Sequence, residues 1–460
     1  MKLEAQAAVA ATQAVVAAGA ALPPSFGVST DTRSLMPGDA FVALRGERFD
    51  GHDFAGEAVA RGAGVLIVEE ASGAPAGIAA LVVADTKAAY VALGALARRA
   101  LRARIIAVTG STGKTTTRTF LAQILAGIAP GKVAASAANE NNEIGVAKSL
   151  LAIEPDAAYA VLELGARHYG EIAPLVRAVA PHVALLTNIG DAHLEIMGSQ
   201  ERLAETKWGI FSTGAAAVLN AADATSRAWA DKLPAPPTWF SLDDEADGCA
   251  LSGPLVTLRG RERLVVRGAA DAREYACEVT VAGDHNRRNA VAAVATALAL
   301  GVPASAAAAT LGELTLPQGR YERIVLSDCE AIYDAYNASM SGTLATLQSF
   351  AAEPATRRIA VLASMAELGA DAPAMHARVG AAAAHACLEA LLVGGDFATD
   401  LARGARGAGY DAARIVPFAD NAAAADWLRR NVRPGDLVLF KGSRRYRLED
   451  VVADLRSVHA

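Results

Sequence analysis

The sequence predicts an α/β protein of three domains: a central domain with a parallel sheet and a phosphate-binding loop, and a smaller α/β domain on either side. Three observations predict this fold. The chain has 460 residues, which is too many for one ordinary domain. Short apolar runs alternate with helix-like segments along most of its length. A glycine-rich loop ends one of these runs and begins a helix-like segment.

Composition narrows the class of protein. A formal net charge of −6 gives no electrostatic reason to expect a nucleic acid or an anionic membrane as a partner. The four cysteines are scattered without the paired spacing of zinc or redox sites, and they suit a reducing cytoplasm. No stretch approaches the roughly 20 apolar residues of a membrane span. Glutamate and glutamine interrupt the alanine-rich N-terminus, so we expect an ordinary helix there rather than a secretory signal.

The N-terminal domain is predicted over residues 1–103. Its short apolar runs predict strands, and the segment between the first two runs has the pattern of a helix. An alanine-rich helix closes the domain. The predicted strands are "DAFVAL" (39–44), "GVLIVEE" (64–70) and "AALVVAD" (79–85), and the first helix is "DFAGEAVARG" (53–62).

The central domain is predicted over residues 104–315. Three β-branched runs are apolar at nearly every position, and each closes in a glycine; strands buried on both faces of a parallel sheet have this pattern. A polar stretch of strands and turns follows at about 235–280, and then a strong helix that ends in glycine. The runs are "RIIAVTG" (104–110), "YAVLELG" (159–165) and "HVALLTNIG" (182–190), and the helix is "GDHNRRNAVAAVATALALG" (283–301).

The C-terminal domain is predicted over residues 316–460. Pro317 and Gly319 follow a helix, so we interpret "LTLPQGRYERI" (314–324) as a linker. The alternation of strands and helices then resumes, which predicts a third α/β unit with its own parallel sheet. Its predicted strands are "RIAVLASM" (358–365), "LEALLVGG" (388–395), "RIVPF" (414–418) and "DLVLFKGS" (436–443).

The glycine-rich loop is the strongest local signal of chemistry. Its backbone N–H groups would converge on phosphate oxygens, the helix N-terminus would add a favourable dipole, and Lys114 would supply positive charge. Thr115 is the expected magnesium ligand. The two glycines stand closer together than in the common P-loop pattern, but the strand before and the helix after support the assignment. The loop consists of Gly110, Ser111, Thr112, Gly113, Lys114, Thr115 and Thr116.

Charged residues follow the neighbouring predicted strands. Glu163 ends one strand and His193 follows the next, and ligands of open parallel sheets bind outside the carboxyl ends of strands. Glu163 by itself could cap a helix, and His193 could be an ordinary loop histidine. Together, next to a P-loop, they predict magnesium ligands, although magnesium prefers oxygen. Lys207 lies on a predicted helix just beyond, where most lysines are solvated surface charges.

Ordered motifs along nearly the whole chain resemble those of the Mur ligases, the ATP-dependent ligases that build the peptide stem of the bacterial cell wall. A segment at 29–55 also resembles an N-terminal uridine-nucleotide domain of this family. The motifs are "TGSTGKTTT" (109–117), "NENNEIG" (139–145), "ELGARHYGEI" (163–172), "TNIGDAHLEIMGS" (187–199), "TKWGIF" (206–211), "GDHNRRNAVAA" (283–293), "DAYNAS" (334–339), "MAELG" (365–369) and "KGSRRYRLEDVV" (441–452).

The resemblance implies a three-domain Mur ligase architecture with a UDP-sugar-binding N-terminal domain and a Rossmann-like C-terminal domain that binds the incoming amine. It implies a cytoplasmic, monomeric enzyme that uses ATP and two Mg²⁺ ions. Four motifs ("NENNEIG", "ELGARHYGEI", "DAYNAS" and "MAELG") indicate the branch that joins D-alanyl-D-alanine to UDP-N-acetylmuramoyl-tripeptide through an acyl phosphate. Other ligases of the family, adding lysine or diaminopimelate or extending a polyglutamate, stay open as alternatives. So does a nucleotide-binding protein without ligase activity.

The resemblance also implies roles for individual residues. Lys114 would hold the ATP phosphates, Thr115 and Glu163 one magnesium ion, and His193 the second, helped by a carbamylated Lys207. From sequence context without the resemblance, Arg320 would be interpreted as a surface charge and Asp334 as an acid at the end of a strand. The asparagines at 139–142 would be interpreted as stabilising their own tight loop. The resemblance implies that Arg320 approaches the γ-phosphate, that the ribose is held by Asp334, Tyr336 and Asn337, and that the adenine is read by Asn289 with His285 and Asn286. It implies that the muramoyl-peptide channel is lined by Asn139, Asn141, Asn142, Arg167 and His168. It also implies that uridine diphosphate is contacted by Asp31, Thr32, Arg33 and Ser34.

Four positions depart from the pattern of the family. Ala335, Ser339 and Met340 stand within and after the "DAYNAS" motif, and Ser364 replaces a common aspartate. All four lie in the predicted C-terminal domain, so they bear on the incoming dipeptide more than on the ATP chemistry. The identity of the third stem residue is not indicated.

Overall fold

The computed structural model describes residues 1–17, 20–46, 49–71, 75, 77–137, 139–190, 194–246, 248–268, 272–326 and 329–457. The strands within these ranges form sheets of five, nine and six strands and a separate two-stranded pair. Each of the larger sheets takes its strands from one of the three predicted domain ranges. In this part of the chain, no helix combines the length and the apolarity that crossing a bilayer requires.

The N-terminal sheet is parallel except at one edge. Its order is β2-β7-β6-β5-β4, and only β2 runs antiparallel to its neighbour. The predicted strands and helices are present within their expected ranges. The elements are β1 Leu3–Glu4, α1 Ala5–Thr12, β2 Val15–Val16, β3 Ser25–Phe26, β4 Val28–Ser29, β5 Ala40–Val42, α2 Ala55–Ala60, β6 Val65–Val68, β7 Ala79–Val82 and α3 Thr86–Ala100.

The central sheet has the order β16-β15-β14-β13-β12-β11-β8-β10-β9. It is parallel from β9 to β14, and β15 and β16 add an antiparallel meander. The elements are β8 Arg104–Thr109, α4 Lys114–Ile128, β9 Val133–Ala135, α5 Glu143–Ala152, β10 Tyr159–Glu163, α6 Ile172–Val179, β11 Val183–Leu186, α7 Leu194–Met197, α8 Gln200–Trp208, β12 Ala216–Asn220, α9 Ala224–Trp229, β13 Thr238–Leu242, β14 Leu255–Arg259, β15 Arg263–Arg267, β16 Ala272–Ala276, α10 Asp284–Ala299 and α11 Ala304–Ala309.

Both faces of the central sheet are buried, as the apolar runs predict. Ile105 and Ala107 of β8 pack into one hydrophobic cluster, and Ile106 and Val108 pack into a second cluster on the opposite face. Successive side chains of a strand point to opposite faces, so a strand covered on both sides must be apolar at every position. Helices α4 and α10 cover the second face, where small alanines along α10 let it pack closely.

The C-terminal sheet has the order β17-β18-β22-β19-β20-β21. The four predicted strands, β19 to β22, are parallel as expected, and β18 pairs parallel with β22; β17, which was not predicted, adds an antiparallel edge strand. The predicted linker 314–324 runs into β17, and β18 was not predicted. The elements are β17 Glu322–Val325, β18 Glu330–Tyr333, α12 Met340–Ala351, β19 Arg357–Ala363, α13 Ala372–Ala384, β20 Ala390–Gly394, α14 Ala398–Gly407, β21 Ile415–Pro417, α15 Asn421–Asn431, β22 Asp436–Lys441 and α16 Glu449–Ser457.

Strand ends of two domains create the site. In the central sheet, β8 pairs with both β10 and β11, so the carboxyl ends of the three strands share one edge. The loop after β18 and the end of β22 in the C-terminal domain face this edge across a cleft. Open α/β sheets bind ligands at such an edge.

Candidate functional site

A cleft of about 1100 Å³ lies between the central and C-terminal domains. It brings together most of the site residues that the sequence predicts, from segments separated by more than 200 positions. The predicted residues that line it are Ser111, Thr112, Gly113, Lys114, Thr115, Thr116, Asn139, Asn141, Asn142, Glu163, Arg167, His168, Lys207, His285, Asn286, Asn289, Arg320, Asp334, Tyr336 and Asn337.

The glycine-rich loop has the geometry of a phosphate cradle. Gly113 has a φ of +80° and precedes α4, and a Cβ atom there would lie 2.5 Å from Asn289 Oδ1. Gly110 has a φ of +148°, and its Cβ would lie 1.9 Å from Thr187 Oγ1. Glycine is therefore required at both positions for conformation and for space. Gly110 does not line the cleft itself; it lets the loop turn.

Residues after β11 hold the loop in shape. Asn188 accepts a hydrogen bond from the Thr112 amide (3.0 Å) through Oδ1 and donates one to Thr112 Oγ1 (2.9 Å) through Nδ2. The Thr187 hydroxyl donates to the Thr112 carbonyl oxygen at 2.6 Å. Lys114 Nζ donates to the carbonyl oxygens of Gly110 (2.7 Å) and Ser111 (3.2 Å). The lysine thus lies folded over the loop, where a phosphate would compete for its ammonium group.

Glu163 is buried at the end of β10, beside the loop. Its Oε2 accepts a hydrogen bond from Thr115 Oγ1 at 2.9 Å, and its Oε1 accepts one from Asn141 Nδ2 at 2.8 Å. The Glu163 amide donates to Ser136 Oγ at 3.0 Å, which fixes the backbone as well. A carboxylate and a hydroxyl oxygen in contact fit the hard-oxygen preference of Mg²⁺. Thr115 and Glu163, the two residues that the resemblance assigns to one magnesium ion, are in direct contact.

Lys207 is not a solvated surface lysine, since only 1% of it is exposed. Burial, helped by the nearby Lys114 ammonium and opposed by the Glu163 carboxylate, lowers its pKa to about 7. At neutral pH a substantial fraction of the side chain is therefore the free amine. The pKa of Lys114 is also lowered, chiefly by desolvation. The site gathers cationic groups that an anionic ligand would neutralise.

This environment predicts a pH-dependent stability. The folded-state pKa of Lys207 lies below its unfolded value of about 10.5, so the unfolded chain binds more protons between about pH 7 and pH 10.5. The free energy of unfolding should rise across this window relative to Lys207→Met, by up to ~1.4 kcal/mol per pH unit. The free energy of unfolding is measured at each pH by denaturant titration in metal-free, CO₂-free buffer. Lys132→Met, at an exposed ion pair with Asp156, is the control; equal pH slopes for all three proteins would contradict the prediction.

Asp334 anchors the opposite wall of the cleft. It is buried and ion-paired with Lys441 Nζ at 2.8 Å, and it accepts hydrogen bonds from Thr346 Oγ1 (2.6 Å) and the Tyr321 amide (3.2 Å). Desolvation by itself would raise the pKa of Asp334, but Lys441 and its hydrogen bonds hold it below the ordinary value. His285, close by, is kept neutral because burial lowers its pKa to about 4. Asp334 thus presents a fixed, ionised carboxylate to the cleft.

The two domains contact each other through Tyr336. Its hydroxyl donates to Asn139 Oδ1 in the asparagine loop of the central domain. The guanidinium of Arg320 lies 4.4 Å from the centre of the Tyr336 ring, and that of Arg444 lies 5.1 Å from it. Arg320 therefore stands in the cleft, held by an aromatic face, rather than on the open surface that its sequence context allows.

The asparagine loop and the segment after β10 form another wall. Asn142 caps α5 by accepting a hydrogen bond from the Gly145 amide at 2.8 Å, which supports the alternative that the loop holds itself. Asn141, by contrast, is directed to Glu163. Arg167 and His168 are exposed, and both of their amides donate to the Glu171 carboxylate. The His168 imidazole also pairs with Glu171 (2.8 Å), so both residues stand on the solvent side of the cleft in a backbone fixed by Glu171.

One group of predicted residues, in the N-terminal domain, is not brought to the cleft. Asp31, Thr32, Arg33 and Ser34 lie in the N-terminal domain and do not line it. Arg33 Nη2 pairs with Asp31 at 2.6 Å, and Thr32 Oγ1 donates to Glu57 at 3.0 Å. His193, the expected ligand of a second magnesium ion, lies outside the described residues. Among the residues that are described, no three His, Cys, Asp or Glu side chains cluster as a metal-holding group.

Several residues of the site were not predicted. Lys441, 107 positions after its partner Asp334, is the clearest case; its place at the end of a buried strand was the available signal. Asn188 has the same signal, at the end of "LLTN".

Ser364, one of the four positions that depart from the pattern of the family, is fully buried beside the end of β20. Its hydroxyl donates to Gly394 O (3.2 Å) and accepts from the Phe397 amide (2.8 Å). It therefore braces backbone outside the cleft. Of the other departures, Ser339 lines the cleft and caps α12, Met340 begins α12, and Ala335 is buried.

Comparison with known proteins identifies the family of the chain. The sequence matches the family descriptions "Mur ligase family, catalytic domain" at residues 26–112, "Mur ligase middle domain" at 108–297 and "Mur ligase, glutamate ligase domain" at 319–444. It is 36% identical to the UDP-N-acetylmuramoyl-tripeptide--D-alanyl-D-alanine ligase of Escherichia coli K12, covering 93% of each chain. It is 32% identical to the protein of that name from Bacillus subtilis, again covering 93% of each.

Solved structures give the same result. The crystal structure of MurF from Acinetobacter baumannii aligns over 99% of both chains with a TM-score of 0.86 and 32% identity. That of MurF from Thermotoga maritima in complex with ADP aligns over 94% of this chain and 97% of its own, with a TM-score of 0.78 and 25% identity. From three matched domains, full-length relatives and a shared fold, the chain belongs to the Mur ligase family.

Proposed function

We propose that the protein is an ATP-dependent carboxylate–amine ligase that joins D-alanyl-D-alanine to UDP-N-acetylmuramoyl-tripeptide. The observation that carries the proposal is the single cleft in which the P-loop, Glu163, Lys207, Arg320 and Asp334 meet. The names of the full-length relatives supply the substrate pair. The domain boundaries at 103/104 and 315/316 and a monomeric, cytoplasmic state are part of the proposal.

The chemistry follows from the charges in the cleft. A substrate carboxylate attacks the γ-phosphorus of ATP, an acyl phosphate forms and ADP leaves; the dipeptide amine then displaces phosphate and forms the amide. The first step brings two anions together, so neutralisation and positioning supply most of the catalysis. Lys114 and Arg320 face the phosphates from opposite domains. Closure of the C-terminal domain would exclude water from the labile acyl phosphate.

Magnesium would be held by Thr115 and Glu163, whose oxygen atoms are already in contact. When bound there, it supplies positive charge to the phosphate oxygens. Lys207 has the environment for carbamylation, because an amine with a pKa of about 7 is partly unprotonated at neutral pH and only the free amine adds CO₂. The resulting carbamate would be an oxygen donor for the second metal ion, to which the resemblance also assigns His193. Asn289, Asp334 and Asn337 would bind the nucleoside.

The test is phosphate release from ATP with the two proposed substrates added separately and together. We expect release only when both are present, and a product whose mass equals the tripeptide precursor plus the dipeptide minus water. Lysine, diaminopimelate and glutamate are tested in place of the dipeptide. Release with one of these would instead indicate another amino-acid ligase of the family. No release with any acceptor, combined with tight ADP binding, would indicate a nucleotide-binding protein without ligase activity.

A further inference from the structure

Arg118 is a buried cation that does not line the cleft. It lies on α4, three residues after Thr115 and four after Lys114, and therefore on the same side of the helix. Only 8% of it is exposed. Its Nη2 donates to Thr119 Oγ1 at 3.2 Å, and its buried Nε has no hydrogen-bond partner within the described part of the chain. Burying an incompletely paired guanidinium is costly, so a compensating interaction is expected.

The packing of α4 shows where that interaction lies. The helix packs across β9 and β10. Strand β10 ends in Glu163, and β9 leads into the asparagine loop that carries Glu140. The carboxylates of Glu163 and Glu140 both favour the charged form of Arg118, against a pKa that burial lowers. Both acidic groups therefore act electrostatically on the guanidinium, which does not line the cleft.

Glu140 connects this cation to the rest of the loop. Its Oε1 lies 2.6 Å from Lys148 Nζ, and its Oε2 accepts a hydrogen bond from Ser149 at 3.3 Å. On one side of it, Asn139 accepts the hydrogen bond from Tyr336 of the C-terminal domain. On the other side, Asn141 donates to Glu163. A displacement of Glu140 would therefore disturb both the domain contact and the carboxylate beside the P-loop.

We propose that Arg118 is a positioning residue for the phosphoryl-transfer site: its positive charge holds the loop at 139–142 and the Glu163 carboxylate in place from behind the cleft. The proposal rests on the proposed function for its kinetic consequence. Its structural consequence, an ordered loop, does not depend on the identity of the substrates. Arg118 contacts no substrate, so its loss should affect geometry at Glu163 rather than the binding of the nucleoside.

The test compares Arg118→Met and Arg118→Lys with a matched control, Arg358→Met. Arg358 also has a buried Nε without a hydrogen-bond partner, but it lies on β19 of the C-terminal domain outside the cleft. For Arg118→Met we expect the affinity for ADP without metal to stay within ~2-fold of that of the parent. The factor by which Mg²⁺ increases the ADP affinity should fall ~10–100-fold, and kcat should fall by a similar factor. Arg118→Lys should recover most of the Mg²⁺ effect on ADP affinity and most of kcat, because lysine keeps the positive charge. Calorimetry and thermal unfolding are measured for all three variants.

Hydrogen exchange provides a readout without metal or substrate. The amide of Gly145, bonded to Asn142, and that of Glu140, bonded to Ala137 O, should exchange faster in Arg118→Met and unchanged in Arg358→Met. Glu140→Gln should lower the free energy of unfolding less when it is added to Arg118→Met than when it is made in the parent. If Arg118→Met matches Arg358→Met in exchange, Mg²⁺ dependence and kcat, the proposal is wrong. An inactive parent would overturn the proposed function, while the exchange data would still decide the role of Arg118.

Discussion

Lys114→Ala is expected to lower acceptor-dependent phosphate release from ATP by ~1000-fold or more. The ammonium group lies folded over the P-loop, donating to the carbonyl oxygens of Gly110 and Ser111, and nothing else in the loop carries its charge. The γ-phosphoryl group gains its stabilisation in the transition state from such fixed positive groups, each worth several kcal/mol in a partly desolvated site. The measurement is kcat at saturating ATP, both substrates and Mg²⁺.

The control for this prediction is Lys132→Ala. Lys132 belongs to the same domain, but it is an exposed lysine paired with Asp156 and does not line the cleft. We expect it to keep nearly full activity and an unfolding midpoint close to that of the parent. Thermal unfolding of Lys114→Ala should also stay near the parent, because the lysine makes its contacts with the loop that it serves. A Lys114→Ala variant with more than a tenth of the parent kcat would show that phosphoryl transfer does not use this loop.

Glu163→Gln should have the second largest effect, a ~100–1000-fold loss of kcat with a large rise in the Mg²⁺ concentration needed for half-maximal activity. Glutamine has nearly the same volume and can still bond Thr115 and Asn141, so the fold should be retained. Its amide lacks the negative charge that attracts a divalent cation. The measurement is an Mg²⁺ titration of phosphate release at fixed ATP.

Glu154→Gln separates the specific effect from a general change of charge. Glu154 is an exposed acid of the same domain and is absent from the cleft. Its variant should show the parent's Mg²⁺ dependence. If Glu163→Gln also shows the parent's Mg²⁺ dependence and kcat, Glu163 is a structural acid that only caps the Thr115 hydroxyl, and the metal site lies elsewhere.

The cleft depends on contacts between domains as well as on the P-loop. The Tyr336 hydroxyl of the C-terminal domain donates a hydrogen bond to Asn139 of the central domain, and the Arg320 guanidinium stacks over the Tyr336 ring. Asp334 reaches the cleft already ionised because Lys441 is buried with it. Groups that are fixed before the ligand arrives lose little entropy on binding. This arrangement places Arg320, a residue of the predicted linker, in the cleft over the Tyr336 ring.

The P-loop, the parallel central sheet and the position of Glu163 could be predicted from the sequence because each depends on local order along the chain. A strand buried on both faces must be apolar at every position, and a loop between such a strand and a helix places its glycines and lysine by geometry alone. The edge strand β17 and the unpredicted β18 show the limit of this reasoning. Their residues are too few and too mixed in polarity to give a clear period, and pairing with distant β22 makes β18 a strand.

Burial and partners were decided by tertiary structure. The local sequence favours a solvated Lys207, yet it is 1% exposed, because the packing of α8 directs it into the site. Asn188 holds the Thr112 amide from 76 positions away, and Lys441 pairs with Asp334 from 107 positions away. The environment of Arg118 is likewise visible only once β9 and β10 are packed beneath α4. Periodicity is a property of neighbours in the chain, whereas desolvation and charge pairing depend on distances in space that only the assembled sheets and helices set.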